Sequence, residues 1–535
     1  MKSPVLPELS ADAAPEFVDA ASAKAWLENV PLANVAAAQQ QLLAQLQELN
    51  RYATKAIRRL AAIEAVREAV QFVEIEQARR FTNRALPMAE AVSAVFDDTL
   101  ALCDEMYRGY LRCLEAVMAD EAGMRAQAAL VCQRALAYVG LKMFHYHRAH
   151  RQVPAREWRE LHEGYARAEE LGVAEEAVKD YLNRDVNDTS PRIAYMSTLL
   201  LGMANPNELS QRQLTFVAFL LERWAEKVEI SREAPAEDIP PLVVDLDGDL
   251  CSERGGPEAA EPRYLDVKRL AKSLRNRIGL LRKGESPAKL ALGEDCVQPS
   301  CEQLLVFLYR QWCQAMQPRA LERKRVTDAA QACNDMDAIH YYISGHVFKQ
   351  PGEVKELSAA QRDQIVAFGR LSTRDEDDYS VAHGYLLEHW QIVDESSQGL
   401  KMVRHAGNPG RRYSHGQLIG VRPADSKSFM LGQVRWLMQN DAGDLFAGIR
   451  LLPGLPAATA VRPTGVNVIG AKYSQALSLT GVAALEAPPT LVLPAGGFKP
   501  KRVVEVFVEG HVRVRLTEII DRGSDYERCA YELVA

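Results

Sequence analysis

The sequence predicts a multidomain protein, α first and then β: an all-helical amino-terminal region, then an all-β domain and a further small β module. Three observations carry this. Residues 20–230 are rich in Ala, Leu, Glu, Gln and Arg, with apolar residues at helical spacing. Beyond about residue 364 the texture changes to short apolar runs separated by Gly, Pro, Asn and Asp, such as GYLLEHWQIV, GQLIGVR and LFAGIRLL. The two textures fill separate stretches, which is the pattern of separate domains, and 535 residues are too many for one core.

In chain order, Leu42, Leu46 and Leu49 recur on one helical face, and that pattern runs on to about Phe81. Pro87 marks the next boundary, with helices expected over 88–119, 122–150 and 155–183. Ser190 before Pro191 is a helix-start signal, and Ser210 with Gln213 has the spacing of a capping box. Residues 1–230 thus read as a helical bundle. The stretch 231–263 is dominated by proline, glycine and acids, and reads as a linker with one short strand, LVVDL. Helical signal resumes over 264–346, where Leu304, Leu305, Leu308 and Trp312 share a face. A β domain is expected over 364–456, the stretch whose barrel form the resemblance below implies, and a β module over 457–535. In the latter, VVEVFVEGHVRVRL alternates on both sides of Glu509-Gly510, as a hairpin does.

The formal net charge of −7 disfavours duplex DNA or an anionic membrane as partner of the whole molecule. A local arginine cluster still allows an anionic small ligand. Nine cysteines, an odd number without C-x-x-C spacing, read as reduced, buried thiols of a cytoplasmic protein. No window reaches the length of a membrane span, so no membrane insertion is expected.

The β region opens with FGRLSTRDEDDYSVAHGYLLEHWQIVDESSQGLKMVR. It holds R-x-x-x-R at Arg370 and Arg374, then D-x-S-x-x-G at Asp394, Ser396 and Gly399, followed by GQVRWLMQNDAGDLFAGIRLL. These patterns, in this order, resemble the signature of the PilZ family of cyclic-di-GMP receptors over roughly 365–456. The resemblance implies a PilZ-type β-barrel, cyclic-di-GMP as ligand, and phosphate and guanine clamping by Arg370 and Arg374. It also implies guanine recognition by Asp394, Ser396 and Gly399.

The chemistry agrees. Arginine pairs bidentately with phosphate or with guanine O6 and N7, and stacks on bases. A carboxylate suits the N1–H and N2–H₂ edge of guanine, and a glycine fits a turn with positive φ or close backbone approach to a base. The competing reading of Asp394 and Ser396 is an Asx-type strand-to-turn cap. The acids at 375–378 directly follow Arg374 and either compete for both arginines or orient them.

The expected function is a cyclic-di-GMP effector with no catalytic role, coupling occupancy through the helical region to an unknown protein partner. By the resemblance, motility, pilus or surface-attachment control is the setting. The alternative is a ligand-independent scaffold with a degenerate barrel. A third reading, a haloacid-dehalogenase-like phosphatase, rests on VVDLDGDL, with Asp245 as nucleophile and Asp247 as acid beside Mg²⁺. That fold needs a parallel sheet and a following series of βα units, which the flanking sequence lacks. His145, His147 and His150 lack the spacing and companions of a metal set, and no cofactor is expected. The arginines of GNPGRR at 407–412 are either solvated or line the ligand site.

Overall fold

The computed structural model describes residues 6–184, 186–234, 242–249, 253–254, 259–293, 296–297, 300–314, 324–351, 383–464, 471–508 and 510–534. The chain divides into two units, Met1–Arg84 with Met88–Arg319, and Ala85–Pro87 with Ala320–Ala535.

In the first unit the helices are α1 (Ala20–Leu27), α2 (Val35–Arg51), α3 (Ala56–Phe81), α4 (Glu90–Met118), α5 (Ala128–Arg148), α6 (Ala155–Glu170), α7 (Pro191–Met203), α8 (Gln211–Trp224), α9 (Lys268–Arg282) and α10 (Ser300–Cys313). Leu42, Leu46 and Leu49 of α2 are fully buried, as their spacing requires. Ser190 accepts from the Ile193 amide, and Ser210 and Gln213 exchange both bonds of a capping box. Trp312 of α10 is buried and donates to the Leu200 carbonyl at 2.8 Å.

The helix expected over 155–183 ends at Glu170. A short antiparallel pair follows, β1 (Val178–Lys179) and β2 (Asp188–Thr189). Asp180 turns inward there, and Arg67 of α3 and Arg134 of α5 both reach its carboxylate at 3.1 Å. The stretch read as a linker also has order. β3 (Glu229–Ser231), β4 (Leu242–Asp245), β5 (Glu253–Arg254) and β6 (Pro262–Asp266) form an antiparallel sheet in the order β3-β6-β4-β5.

The second unit holds two closed six-stranded antiparallel barrels. The first is β7 (Lys324–Asn334), β8 (Glu388–Ser396), β9 (Gly399–Arg404), β10 (Leu418–Pro423), β11 (Met430–Gln439) and β12 (Leu445–Leu451), closed in the order β10-β11-β12-β9-β8-β7. The second, where only a β module was expected, is β13 (Pro456–Pro463), β14 (Ser474–Leu479), β15 (Thr490–Pro494), β16 (Val503–Phe507), β17 (His511–Arg522) and β18 (Tyr526–Leu533). Its β16–β17 pair is the hairpin read from the alternation, with Val504 opposite Val514 and Val506 opposite Val512.

The first barrel therefore begins forty residues before its expected start, with β7 inside the stretch read as helical. KRVTDAAQACN is alanine-rich and carries little β-propensity. Pairing with β8 on one side and β10 on the other overrides that preference. Only then does helical structure return, as α11 (Met336–Ser344).

The barrels share a core. Cys333, Ile339, Leu418, Phe429 and Leu431 of the first barrel and α11 pack in one cluster with Leu477, Leu479, Val492 and Tyr526 of the second. The β17–β18 turn closes this contact: Ser524 donates its amide to the Gly416 carbonyl and Asp525 accepts from the Leu418 amide, both at 2.9 Å. Gly523 must be glycine here, because a Cβ would run into both the Gly416 carbonyl and the Tyr526 ring.

The thiol reading needs one correction. Cys296 and Cys301 are a disulfide pair, five positions apart in sequence, with Cα atoms 5.1 Å apart. The other described cysteines, 103, 113, 132, 313, 333 and 529, are free, and all but Cys313 are buried.

Candidate functional site

The β8–β9 hairpin sets the geometry. Trp390 and Ile392 of β8 point into the barrel and are buried. Regular alternation would send Asp394 inward after them. A bulge between Ile392 and Asp394 takes up Val393 as an extra residue, so Ile392 pairs with Met402 while Asp394 pairs with Lys401. Asp394 and Ser396 are thereby turned to the outer face, where both are half-buried. Ser396 faces Gly399 across the turn, and its hydroxyl donates to the Gly399 carbonyl at 3.2 Å.

Of the two reasons expected for a glycine at 399, positive φ is not found. Glycine is needed because β12 passes close by: a Cβ would stand 2.7 Å from the Ile449 carbonyl oxygen. The glycine seats a neighbouring strand, and the approach is to protein backbone.

Two cross-strand rows extend from these residues over the same face. The first runs Arg325, Asp394, Lys401, Gly448, Trp436. A second bulge, at Arg435 between Val434 and Trp436, turns the indole outward. Gly448 makes room for it, since a Cβ there would run into the indole nitrogen. The Lys401 ammonium stands 5.8 Å from the centre of the Phe446 ring. The second row runs Ser396, Gly399, Arg450, Gln433. Arg450 Nη2 donates to Gln433 Oε1 at 3.0 Å and pairs with Asp521 of the second barrel. Together the rows present a carboxylate, a hydroxyl, cations and a flat aromatic surface. That set suits an anionic ligand with aromatic rings and an amide-like edge.

Sequence reasoning passed over Arg325, Lys401, Trp436, Gly448 and Arg450. One signal was available: a mid-strand glycine, as at Gly448, marks close approach by another group. The others follow from register alone.

Below the face lies a buried ion pair. The fully buried Glu388 carboxylate accepts from Arg404 Nη1 at 2.6 Å, from Trp390 Nε1 at 3.0 Å and from the Arg411 amide at 2.6 Å. Arg404 also donates to the Arg411 carbonyl at 2.8 Å. Gly410 is required beside it, because a Cβ would run into the guanidinium. Burial pushes the adjacent Tyr413 hydroxyl well above the usual phenol range, with the Glu388 charge adding to it. The 407–412 stretch is thus clamped from beneath. Arg411 bridges the Asp335 carboxylate at 2.6 Å and the Gly384 carbonyl. The Arg412 carbonyl accepts from Asn334 at 3.2 Å.

Arg370, Arg374 and the acids at 375–378 lie outside the described residues. Elsewhere, Asp245 ends β4 in an antiparallel sheet, not a parallel one. Its carboxylate accepts from the amides of Asp247, Ala260 and Glu261 at 3.0–3.2 Å, which is turn capping. His145 of α5 meets Glu74 at 2.6 Å in the helical core. Among the described residues no group of His, Cys, Asp and Glu is placed to hold a metal ion, and no helix is long and apolar enough to cross a membrane.

Residues 21–236 match a family model described as the N-terminal domain of the cyclic-di-GMP receptor FimW, and residues 457–534 match one described as the FimW C-terminal β-barrel domain. These stretches are the helical region and the second barrel, on either side of the candidate site. A protein of Pseudomonas aeruginosa PAO1, described as "Cyclic-di-GMP receptor FimW", is 26% identical, in a match covering 92% of this chain and 86% of that one.

Proposed function

We propose that this chain, which belongs to the FimW family whose two domains it carries, is a receptor that binds cyclic-di-GMP on the outer face of its first barrel. The observation that carries the reading is the bulge at Val393, which turns Asp394 and Ser396 outward into a row with Arg325, Lys401 and Trp436. Each group has a use toward this ligand. The Asp394 carboxylate accepts from guanine N1–H and N2–H₂. Trp436, laid flat over Gly448, offers a stacking surface worth about 1–3 kcal/mol per base. Lys401 sits beside the carboxylate and attracts a phosphate. Gly399 and Ser396 hold the hairpin shut so that these groups keep their spacing.

Arg370 and Arg374 supply the remaining clamp on phosphate and guanine, in a PilZ-type arrangement. They are carried by the stretch leading to Gly384, whose carbonyl Arg411 holds. The role is one of binding, without a catalytic step. The output runs through the helical region to a protein partner, in a setting of motility, pilus or surface-attachment control in the cytoplasm.

Titration calorimetry of the full chain with cyclic-di-GMP, and with cyclic-di-AMP as comparison, tests the reading. Saturable binding that favours the guanine dinucleotide is expected. No heat with either nucleotide, in a chain shown to be folded, overturns it.

A further inference from the structure

We propose that Arg450 is a ligand-binding arginine for which Asp521 of the second barrel competes, so that the second barrel sets the affinity of the first. The inference rests on the reading that cyclic-di-GMP occupies the outer face around Asp394 and Gly399.

Arg450 lies directly opposite Gly399 in the ladder, and one outward position along β12 from Gly448, which carries the indole. Its side chain is 43% exposed, so the guanidinium is accessible from the face that holds the ligand groups. Its present partners are both acceptors on one nitrogen: Gln433 Oε1, and Asp521 Oδ2 of β17. The carboxylate thus stands where a phosphate oxygen of a ligand on this face would be drawn, and a guanidinium binds either by the same charge-assisted fork.

Asp521 is not presented by a loose loop. Two register shifts just before it, between Leu516 and Ile519 and between Ile519 and Asp521, set its direction. Tyr526 donates its hydroxyl to the same carboxylate at 3.2 Å. The turn beyond is fixed to the first barrel by the Ser524–Gly416 and Asp525–Leu418 bonds and by the shared core. The competitor is held at constant distance from the site.

Release of Arg450 does not strand the carboxylate. Asp521 keeps the Tyr526 hydroxyl and has Arg528 as its ladder partner. Arg528 is 5% exposed and bonds Thr490 at 2.9 Å, so a cation stays in place when Arg450 swings away. An exchange between two satisfied states has a small energy gap, which is what an adjustable affinity needs.

The test is a double-mutant cycle read by calorimetry with cyclic-di-GMP on the full chain. Asp521→Asn removes the competing charge and is expected to tighten binding roughly three- to tenfold. Arg450→Ala is expected to weaken it about tenfold or more. In the Arg450→Ala background Asp521→Asn should then change nothing. Should the Asn chain fail to fold by its thermal transition, Asp521→Ser serves in its place. Binding by the parent that is unaltered or weakened by Asp521→Asn overturns the competition while leaving the site intact. Binding unaltered by Arg450→Ala removes that residue from the site. Failure of the parent to bind removes the functional reading and this inference with it.

Discussion

Asp394 and Lys401 are cross-strand partners on the outer face of the first barrel, although Ile392, two residues earlier, pairs with Met402 on the inner one. A single extra residue, Val393, makes the difference. It converts a position that alternation would bury into one where a carboxylate meets solvent beside an ammonium and a guanidinium. The register pins this arrangement at the next pair too, where Gly399 lets β12 approach within contact of its backbone.

The indole is expected to carry stacking energy. Trp436→Ala should weaken cyclic-di-GMP binding by about 1–3 kcal/mol, roughly five- to hundredfold. Gly448→Ala should produce a comparable loss without touching the indole's chemistry, because its Cβ displaces the ring. Calorimetry on both variants, with thermal unfolding as the control, checks this. Parent-like binding by either one removes the stacking role.

Arg370→Ala and Arg374→Ala should each remove charge-assisted contacts worth roughly 1.5–3 kcal/mol, which is about ten- to hundredfold in affinity. Thermal stability should be unchanged in both. Two single variants that bind like the parent would show that the clamp lies elsewhere.

The Glu388–Arg404 pair is expected to be structural. Glu388→Gln leaves a buried guanidinium without its counter-charge, and breaking such a pair costs about 3–5 kcal/mol. Urea unfolding followed by Trp390 fluorescence should show the first barrel destabilised by that order. An unchanged midpoint would mean that the Trp390 and Arg411 contacts alone hold the clamp.

Stability of the helical region should fall on mild acidification. Burial, and secondarily the charge of His150, pushes the pKa of His147 down to about 3 from an ordinary 6.5. The unfolded chain takes up this proton below about pH 6.5, and the folded chain does so only near pH 3. The full contribution is therefore present above the upper value and is lost as pH drops toward the lower one, by about 1.4 kcal/mol per unit. Unfolding midpoints measured from about pH 7 down to about pH 5 should decline, and His147→Gln should flatten the decline. Identical slopes in both chains would refute the assignment.

Much of the fold was legible. Ser190, Ser210 with Gln213, and the alternating valines of 503–516 are local signals, and each formed the element it announces. β7 was not legible, because its alanines become a strand only by pairing with β8 and β10, which lie far along the chain. Within 231–263 the strand read from LVVDL is β4, whereas β5 and β6 hide for a related reason, being set by pairing with it. At the site, the order and spacing of Asp394, Ser396 and Gly399 were visible as a motif. Their neighbours were not, since Lys401, Arg450 and Trp436 reach them only through the register of four strands and two bulges. For Gly399 the positive φ that a turn would ask for is not found, and the close approach that the structure shows is by strand β12.

Asp394 is expected to read guanine on the outer face of the first barrel. The most direct measurement is calorimetry of the parent and Asp394→Ala with cyclic-di-GMP and cyclic-di-AMP. The parent should prefer the guanine dinucleotide. The variant should lose about ten- to hundredfold toward that ligand, with little change toward the adenine one, so that the preference collapses. Equal losses toward both nucleotides would leave Asp394 a strand-end cap, and parent-like binding by the variant would contradict the claim outright.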